Sequence, residues 1–532
     1  RDPAPDRFRG EVEQVMGSHG LSRSQLTGSG SLDGTDYLAS VSRVGWDGFR
    51  TIPDGNGARY GESERFTFNS RVRHNLAGGR LSLTVNGVEL EAENPGSVPE
   101  ELQDDPDRPV APFPYLAHRT RKELTQAQAG VEWEGPLGEA LRGNVSLYGI
   151  RRDVVNPIPF NYIDLSRRAG GTSARLSGSY RTGEVELSWH AGAELDLQDD
   201  ERREYPNQEG EPGPEPHTDQ AERVRAVGVF IQTGLALPGG GRALAGLRYD
   251  QHEFRARDHI VRDPDQPSST GRRSMDQVSP SLGVSIPVTS AVTVFGSLGA
   301  VFETPSTTEL KNRPDGAGGF NPELEPQRGR TGEVGVRLRP RPSLAAELTA
   351  FRTDLRGELI PFEVPEVEGQ VFFRNAGSSR HTGLEATVSA VSSSGLVRGD
   401  LTYTLTDARF RDYEVDGEAL DGNRIPGLAP SRARGSLRLQ PESWFVVLGA
   451  SYVDRLPLND GNTAHAPSHL LWDLRAGLES VRLGRVRLEP WTAVENLTDR
   501  RYVASAAVNA AGGRYFEPGP GRTWQLGLRA GF

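Results

Sequence analysis

The sequence predicts an all-β fold: a transmembrane antiparallel β-barrel of about 22 strands, with short periplasmic turns and long extracellular loops. Three observations predict it. The first is the final stretch, Gly521 to Phe532. Trp524, Leu526, Leu528, Ala530 and Phe532 fall on every second position, with Thr523, Gln525 and Arg529 between them. That is a strand with one apolar and one polar face, ending on an aromatic. A closed barrel has a use for such a strand, because its last strand pairs with its first and leaves no edge in lipid. The second observation is composition. Only 35% of residues are hydrophobic and mean hydropathy is −0.54. No run of ~18 apolar residues exists to cross a bilayer as a helix. A barrel tolerates this, since only the lipid-facing half of each strand must be apolar. The third is punctuation: short Gly-, Pro- or Ser-rich connections take turns with long, polar, irregular ones.

In order, strands are predicted near 9–18, 21–31 and 36–46, then a long loop carrying Gly45 to Arg50. Strands near 64–74 and 79–91 meet at Leu76-Ala77-Gly78-Gly79. The next loop, about 92–121, holds Pro95, Pro99, Pro106, Pro109, Pro112 and Pro114, too many for a strand or helix. Strands near 123–134 and 141–151 precede a loop with Phe160, Asn161 and Tyr162. The strand 185–197 is the clearest. Val185, Leu187, Trp189, Ala191, Ala193, Leu195 and Leu197 take one face, and Glu186, Ser188, His190, Glu194 and Asp196 the other. That polar face must be wet or matched by polar partners, which suits a lumen and not a dry sandwich core. An acidic loop is expected at about 199–222. Further strands fall near 223–237, 242–253, 275–286, 291–301, 330–338, 343–353, 378–391, 396–407, 432–440, 443–453, 468–478, 485–495 and 520–532. A loop of roughly 302–328 interrupts them.

Several classes are excluded or disfavoured. There is no Cys, hence no disulfide framework and no thiolate metal site. A net charge of −11 speaks against a nucleic-acid binder. No H-E-x-x-H, Walker loop or G-x-S-x-G elbow is present, and no enzymatic activity is expected. Glu186, His190 and Glu194 read as polar lining of a lumen. No cofactor and no resident metal are expected.

Three stretches carry a resemblance. Phe302-Glu303-Thr304-Pro305 is followed by Asn321-Pro322-Glu323-Leu324-Glu325-Pro326-Gln327; Phe373-Arg374-Asn375-Ala376-Gly377 leads into Gly383-Leu384-Glu385; Glu495-Asn496-Leu497-Thr498-Asp499-Arg500-Arg501-Tyr502 ends in Arg514 to Arg522. Gly422-Asn423-Arg424-Ile425-Pro426-Gly427 joins them. In this order and at these strand positions they resemble the TonB-dependent receptors of the bacterial outer membrane, most like those for ferric siderophores and other iron complexes. The resemblance covers the whole chain as the barrel domain, residues 9–532. Family members fold an N-terminal plug inside the barrel. Arg1-Asp2-Pro3-Ala4-Pro5 resembles the end of a plug-to-barrel junction at 1–8, so the chain reads as the barrel half of a receptor. The resemblance implies a monomer in a Gram-negative-type outer membrane, in contact with its lipid. It implies energy from the TonB–ExbB–ExbD complex through the plug, and a ferric chelate as ligand. The aromatic end, with Trp524, Leu526, Leu528 and Phe532, resembles the signal read by the barrel assembly machinery.

Ligand contacts are expected on the outer loops, since function sits on loops held by a rigid scaffold. Oxygen-rich chelates suit Arg forks and aromatic faces. The candidates are Trp46, Phe49, Arg50, Tyr60, Tyr115, Arg119, Phe160, Tyr162, Phe320, Phe373, Arg374, Tyr502 and Phe516. Against each stands the interfacial aromatic girdle of barrels. Asn321 to Leu324 reads as a turn-forming segment. No histidine lies between Phe302 and Asn321, which disfavours haem, and Met occurs only at Met16 and Met275, which disfavours a soft copper site. The acidic loops at 199–222 and 101–107 read as solvated, with Ca²⁺ the sharper alternative. The rival readings are a passive porin-like channel, a receptor for cobalamin or an oligosaccharide, an assembly or secretion barrel that handles polypeptides, and a soluble all-β carbohydrate-binding or propeller protein.

Overall fold

The computed structural model describes residues 8–53, 55, 57–111, 114–183, 185–260, 270–314, 319–367 and 369–532. Residues 1–7 of the expected junction, and Pro112, lie outside that set. Twenty-two long antiparallel strands form the wall of a closed barrel. They are β1 Arg9–Gly17, β2 Ser22–Leu32, β3 Thr35–Trp46, β4 Ser63–Leu76, β5 Gly79–Glu93, β6 Arg121–Pro136, β7 Leu141–Ile158, β8 Asn161–Thr182, β9 Val185–Gln208, β10 Thr218–Ala236 and β11 Arg242–Asp258. The second half is β12 Gly271–Pro287, β13 Val292–Glu303, β14 Gln327–Arg341, β15 Leu344–Phe362, β16 Phe372–Val391, β17 Val397–Asp412, β18 Ser431–Leu439, β19 Trp444–Val453, β20 His469–Leu478, β21 Val486–Glu495 and β22 Thr523–Gly531. Each pairs with its chain neighbours. β1 also pairs with β22, from Glu11↔Gly531 to Gly17↔Gln525, so no edge is left.

The long connections all fall at one end, which also holds the short turns at 18–21 and 159–160. The opposite end has tight turns, such as Asp33-Gly34 and Ala77-Gly78, all four with positive φ as a type I′ hairpin requires. The long-loop end carries 47–62, 94–120, 304–326, 413–430, 454–468 and 496–522. The side chains that point outward in mid-wall are apolar and uncovered: Leu282 and Leu298 face each other across strands and are 60% and 65% exposed. A row of such residues is stable only against lipid. The inward row is polar and self-satisfied. Arg248 meets Glu194 at 2.8 Å and Asp250 at 2.7 Å, and Ser297 donates to Glu333 at 2.9 Å. The three buried apolar clusters lie at the long-loop end, under folded loops.

Two expectations are corrected. Asn161 and Tyr162 do not lie in a loop; they open the 22-residue strand β8, and the chain turns at Pro159-Phe160. The stretch 199–222 is not an acidic loop. β9 runs on to Gln208 and β10 begins at Thr218, leaving only 209–217 as connection. Both misreadings have one cause. Above the lipid both faces of a strand are polar, so the period-2 signal vanishes while the hydrogen-bonded ladder continues. Trp46 likewise ends β3 and does not sit in the loop.

The seam gives a first test. The Phe532 ring lies over Gly10, where an added Cβ would stand 2.3 Å from it. Gly10→Leu is expected to push the ring aside and cost about 1–3 kcal/mol. The check is the temperature at which the barrel loses its compact gel mobility; an unchanged midpoint would show that Phe532 does not pack the seam.

Candidate ligand-binding mouth

The mouth is built by outer loops that lock to one another before any ligand is considered. Arg50, 2% exposed, donates from Nε to the carbonyls of Arg108 (3.1 Å) and Pro109 (2.8 Å), from Nη2 to Pro109 (2.5 Å) and from Nη1 to Gly96 (3.3 Å). It rivets loop 47–62 to loop 94–120. Burial pulls its guanidinium down to about 10, still charged at neutral pH. Tyr60 adds a second rivet, its hydroxyl donating to the Thr120 carbonyl at 3.0 Å; burial pushes that phenol up to about 12.

Across the mouth, Arg514 donates to the Tyr115 hydroxyl at 3.0 Å and to Glu363 at 3.3 Å, joining three loops. Tyr115 and Phe516 sit in one apolar cluster with Val98, Leu458 and Val503. Asp460 accepts from Tyr413 (2.9 Å) and Asn509 (2.9 Å), and burial raises its carboxyl above the usual range. The stretches that carried the resemblance prove to be clips. Asn375 accepts from the Glu325 N–H at 2.9 Å and donates to the Glu325 and Gly357 carbonyls, so the second stretch fastens the first. Asn496 accepts from the Arg500 N–H and donates to its carbonyl, both at 2.8 Å, holding the third.

Loop 304–326 turns into the barrel. Its short helix α1, Thr307–Lys311, starts on a capping box between Ser306 and Glu309. Lys311 reaches the wall and pairs with Glu204, which also accepts from Asn161 at 3.0 Å. Arg202 bonds Glu222 at 2.7 Å and the Thr308 hydroxyl at 3.0 Å. Arg167 holds Asp200 through two bonds of 2.8 and 2.6 Å. Asp200, Arg202 and Glu204 alternate with outward residues, so they share the inward face of β9 with Glu194 and Asp196. Burial pulls the Lys311 ammonium down and the Glu204 carboxylate opposes it. On the other side Leu310, Phe320 and Leu324 pack against Phe254, Ala256 and Met275 of the wall. Asp200, Arg202, Glu204 and Glu222 fall in the stretch 199–222 that the sequence presents as a solvated acidic loop. Two signals pointed to them: the Ser306-x-x-Glu309 box and Lys311, one of only two lysines in the chain.

The candidate residues are therefore dispersed. Arg50, Tyr60, Tyr115, Phe320 and Phe516 are buried in loop packing. Tyr162 stacks edge-on with Tyr205, and the register puts both on the outward face. Tyr502 packs against His469 at 5.1 Å. Phe373 lies against the α1 cluster. Partly or fully exposed groups remain in three places. Trp46 and Phe49 (5.7 Å) gather with His19, which is bonded to Arg59 at 2.7 Å. Phe160 stacks edge-on with His118 beside exposed Arg119. Arg374 lies over the Phe362 ring at 3.8 Å. Each place offers an aromatic face with a cation or an imidazole.

Residues 27–497 match the family described as TonB dependent receptor-like, beta-barrel. The siderophore receptor PiuA from Acinetobacter baumannii superposes with a TM-score of 0.79 at 15% identity, over 100% of this chain and 82% of its own. The unliganded ferric citrate transporter FecA gives 0.81 at 16%, over 100% and 79%. The copper transporter OprC gives 0.76 at 15%, over 100% and 82%. At these identities the solved structures speak for the fold alone.

Proposed function

Because this chain belongs to the TonB-dependent receptor family, as an outer-membrane β-barrel that transports and performs no catalysis, we propose that it binds a ferric siderophore or a similar iron chelate at its outer mouth. The observation that carries the cargo reading is the pairing, at each of the three open places, of an aromatic face with a basic or imidazole group. An oxygen-rich anionic chelate is bound by such pairs through bidentate Arg bonds and ring contact. Two methionines and no cysteine offer little to a soft metal, which supports iron over copper. TonB is the energy-giving partner of the family. In this reading a plug joined ahead of residue 9 relays that energy, and residues 1–8 are the end of the junction.

The test is a titration of the detergent-purified receptor, with its upstream segment, against ferric siderophores, ferric citrate, cobalamin, haem and an oligosaccharide, followed by Trp fluorescence. Sub-micromolar binding of one ferric chelate is the expected result. Binding of cobalamin or a sugar alone would overturn the cargo, and no binding together with steady bilayer conductance would favour a channel. Trp46→Ala with Phe49→Ala is expected to weaken the bound chelate about 10- to 100-fold, as removal of two aromatic anchors does. An unchanged Kd would remove this cluster from the site.

A further inference from the structure

Below the mouth, four arginines of the inner wall lie over aromatic rings. They are Arg248 over Phe230 (5.7 Å), Arg337 over Phe295 (4.2 Å), Arg438 over Phe445 (4.6 Å) and Arg475 over Trp491 (4.1 Å). The last two stacks are joined into one plate. Leu437, Leu448, Leu474 and Leu528 are exposed to lipid, so the register turns Arg438, Phe445, Arg475, Trp491 and Gly527 into the lumen. Arg438, Val447 and Arg475 stand directly opposite one another on β18, β19 and β20. The two arginines therefore leave the wall about 10 Å apart in one row. In the next row, Phe445, Gly477, Trp491 and Gly527 follow one another across β19 to β22. Each ring lies on a glycine: an added Cβ would stand 2.8 Å from the Phe445 ring at Gly477 and 2.1 Å from the Trp491 ring at Gly527. The rings are seated in the wall and the arginines on the rings, which orders two long side chains before any anion arrives.

Charge separates this plate from the other two stacks. There the wall supplies a carboxylate: Arg248 meets Glu194 at 2.8 Å and Asp250 at 2.7 Å, and Arg337 meets Glu347 at 2.6 Å. In the plate, Arg438 shares Glu479 (3.0 Å) with Gln440. Among the described residues, Arg475 has no hydrogen-bond or ion-pair partner, its one contact being the Trp491 ring. The carboxylates around it are engaged elsewhere. Asp473, the next inward residue of β20, accepts from the Asn496 N–H at 2.9 Å, and Glu13 is held by Arg529 (3.0 Å) and Arg23 (3.5 Å). Both arginines lie near the short-turn ends of their strands, β18 ending at Leu439 and β20 at Leu478. The plate is thus at the inner exit of the lumen, at the end opposite the mouth.

We propose that this plate is a second station for the anionic chelate, whose carboxylates pass to Arg438 and Arg475 after the mouth releases them. The inference rests on the iron-chelate reading of the mouth. Guanidinium forks match carboxylate oxygens bidentately, and an arginine stacked on a ring keeps the edge of its fork free for them. A cation that the wall leaves unmatched favours an anion at this level of the lumen.

Citrate is the probe. In equilibrium dialysis against the detergent-purified chain, R438Q/R475Q is expected to bind citrate about 10-fold more weakly than the parent. In cells carrying the receptor with its upstream segment, the same pair should lower the Vmax of ferric citrate uptake about 10-fold and leave KM unchanged, whereas Arg374→Gln at the mouth should raise KM. An unchanged citrate Kd or a parent-like Vmax in R438Q/R475Q would overturn the proposal. So would entry of a large antibiotic that rises in this variant without cargo, which would assign the two arginines to seating the plug. A cargo other than an iron chelate abolishes ferric citrate uptake in the parent too, and the dialysis then decides the station by itself. Compact gel mobility confirms that each variant is folded.

Discussion

Lys311→Met is expected to release helix α1 from the barrel wall. Removing one partner of a buried pair leaves the other as an uncompensated charge, at a cost of about 3–5 kcal/mol. Here that charge is Glu204, fully buried and left with Asn161 and Arg202. The cost is carried by the helix, because the wall at β8 to β10 keeps its ladders while α1 has only five residues and its apolar contacts to hold it. Amide exchange over 306–312 is expected to rise about 100-fold or more, with the protected amides of β9 unmoved. Lys311→Met with Glu204→Gln removes both charges and should recover part of the loss. Exchange that is the same in Lys311→Met and the parent would show that the apolar contacts of Leu310 and Phe320 hold the loop by themselves.

Arg50→Ala has a comparable expected effect on the opposite side of the mouth. The substitution removes four bonds to the carbonyls of Gly96, Arg108 and Pro109 and opens a cavity where a guanidinium stood. Unpaired buried acceptors and the cavity together cost about 3–5 kcal/mol of local stability. Limited proteolysis at low protease within 94–120 should quicken about 100-fold or more while the barrel stays intact, because cleavage then follows the open population. Arg50→Lys is expected to recover little, since an ammonium lacks the planar fork that reaches three carbonyls. A parent-like cleavage rate in Arg50→Ala would mean that Tyr60 and the backbone bonds alone join the loops.

Both residues show where the sequence was readable and where it was not. The barrel was legible because lipid imposes a rule on single residues: every second side chain of a strand must be apolar, as in Val185 to Leu197. The closing strand was legible for the same reason, since Trp524 to Phe532 must serve lipid on one face. Once the strands rise above the bilayer that rule lapses. Asp200, Arg202 and Glu204 then look like a solvated acidic run, although they are buried against a helix about a hundred residues away.

The candidate residues divide along the same line. Residue type and loop position marked Arg50, Tyr60, Tyr115, Phe320 and Phe516 as well as Trp46, Phe49, Arg119 and Arg374, because an exposed aromatic and a riveting one have the same chemistry. Which of them would be buried depended on distant loops meeting, as Arg514 meets Tyr115 and Glu363 across the mouth. The sequence by itself thus determined the barrel, its strand number and its insertion, all set by local alternation against a uniform solvent. Only the tertiary structure decided the inward helix and the loop rivets, because each depends on which side chains come to lie opposite one another.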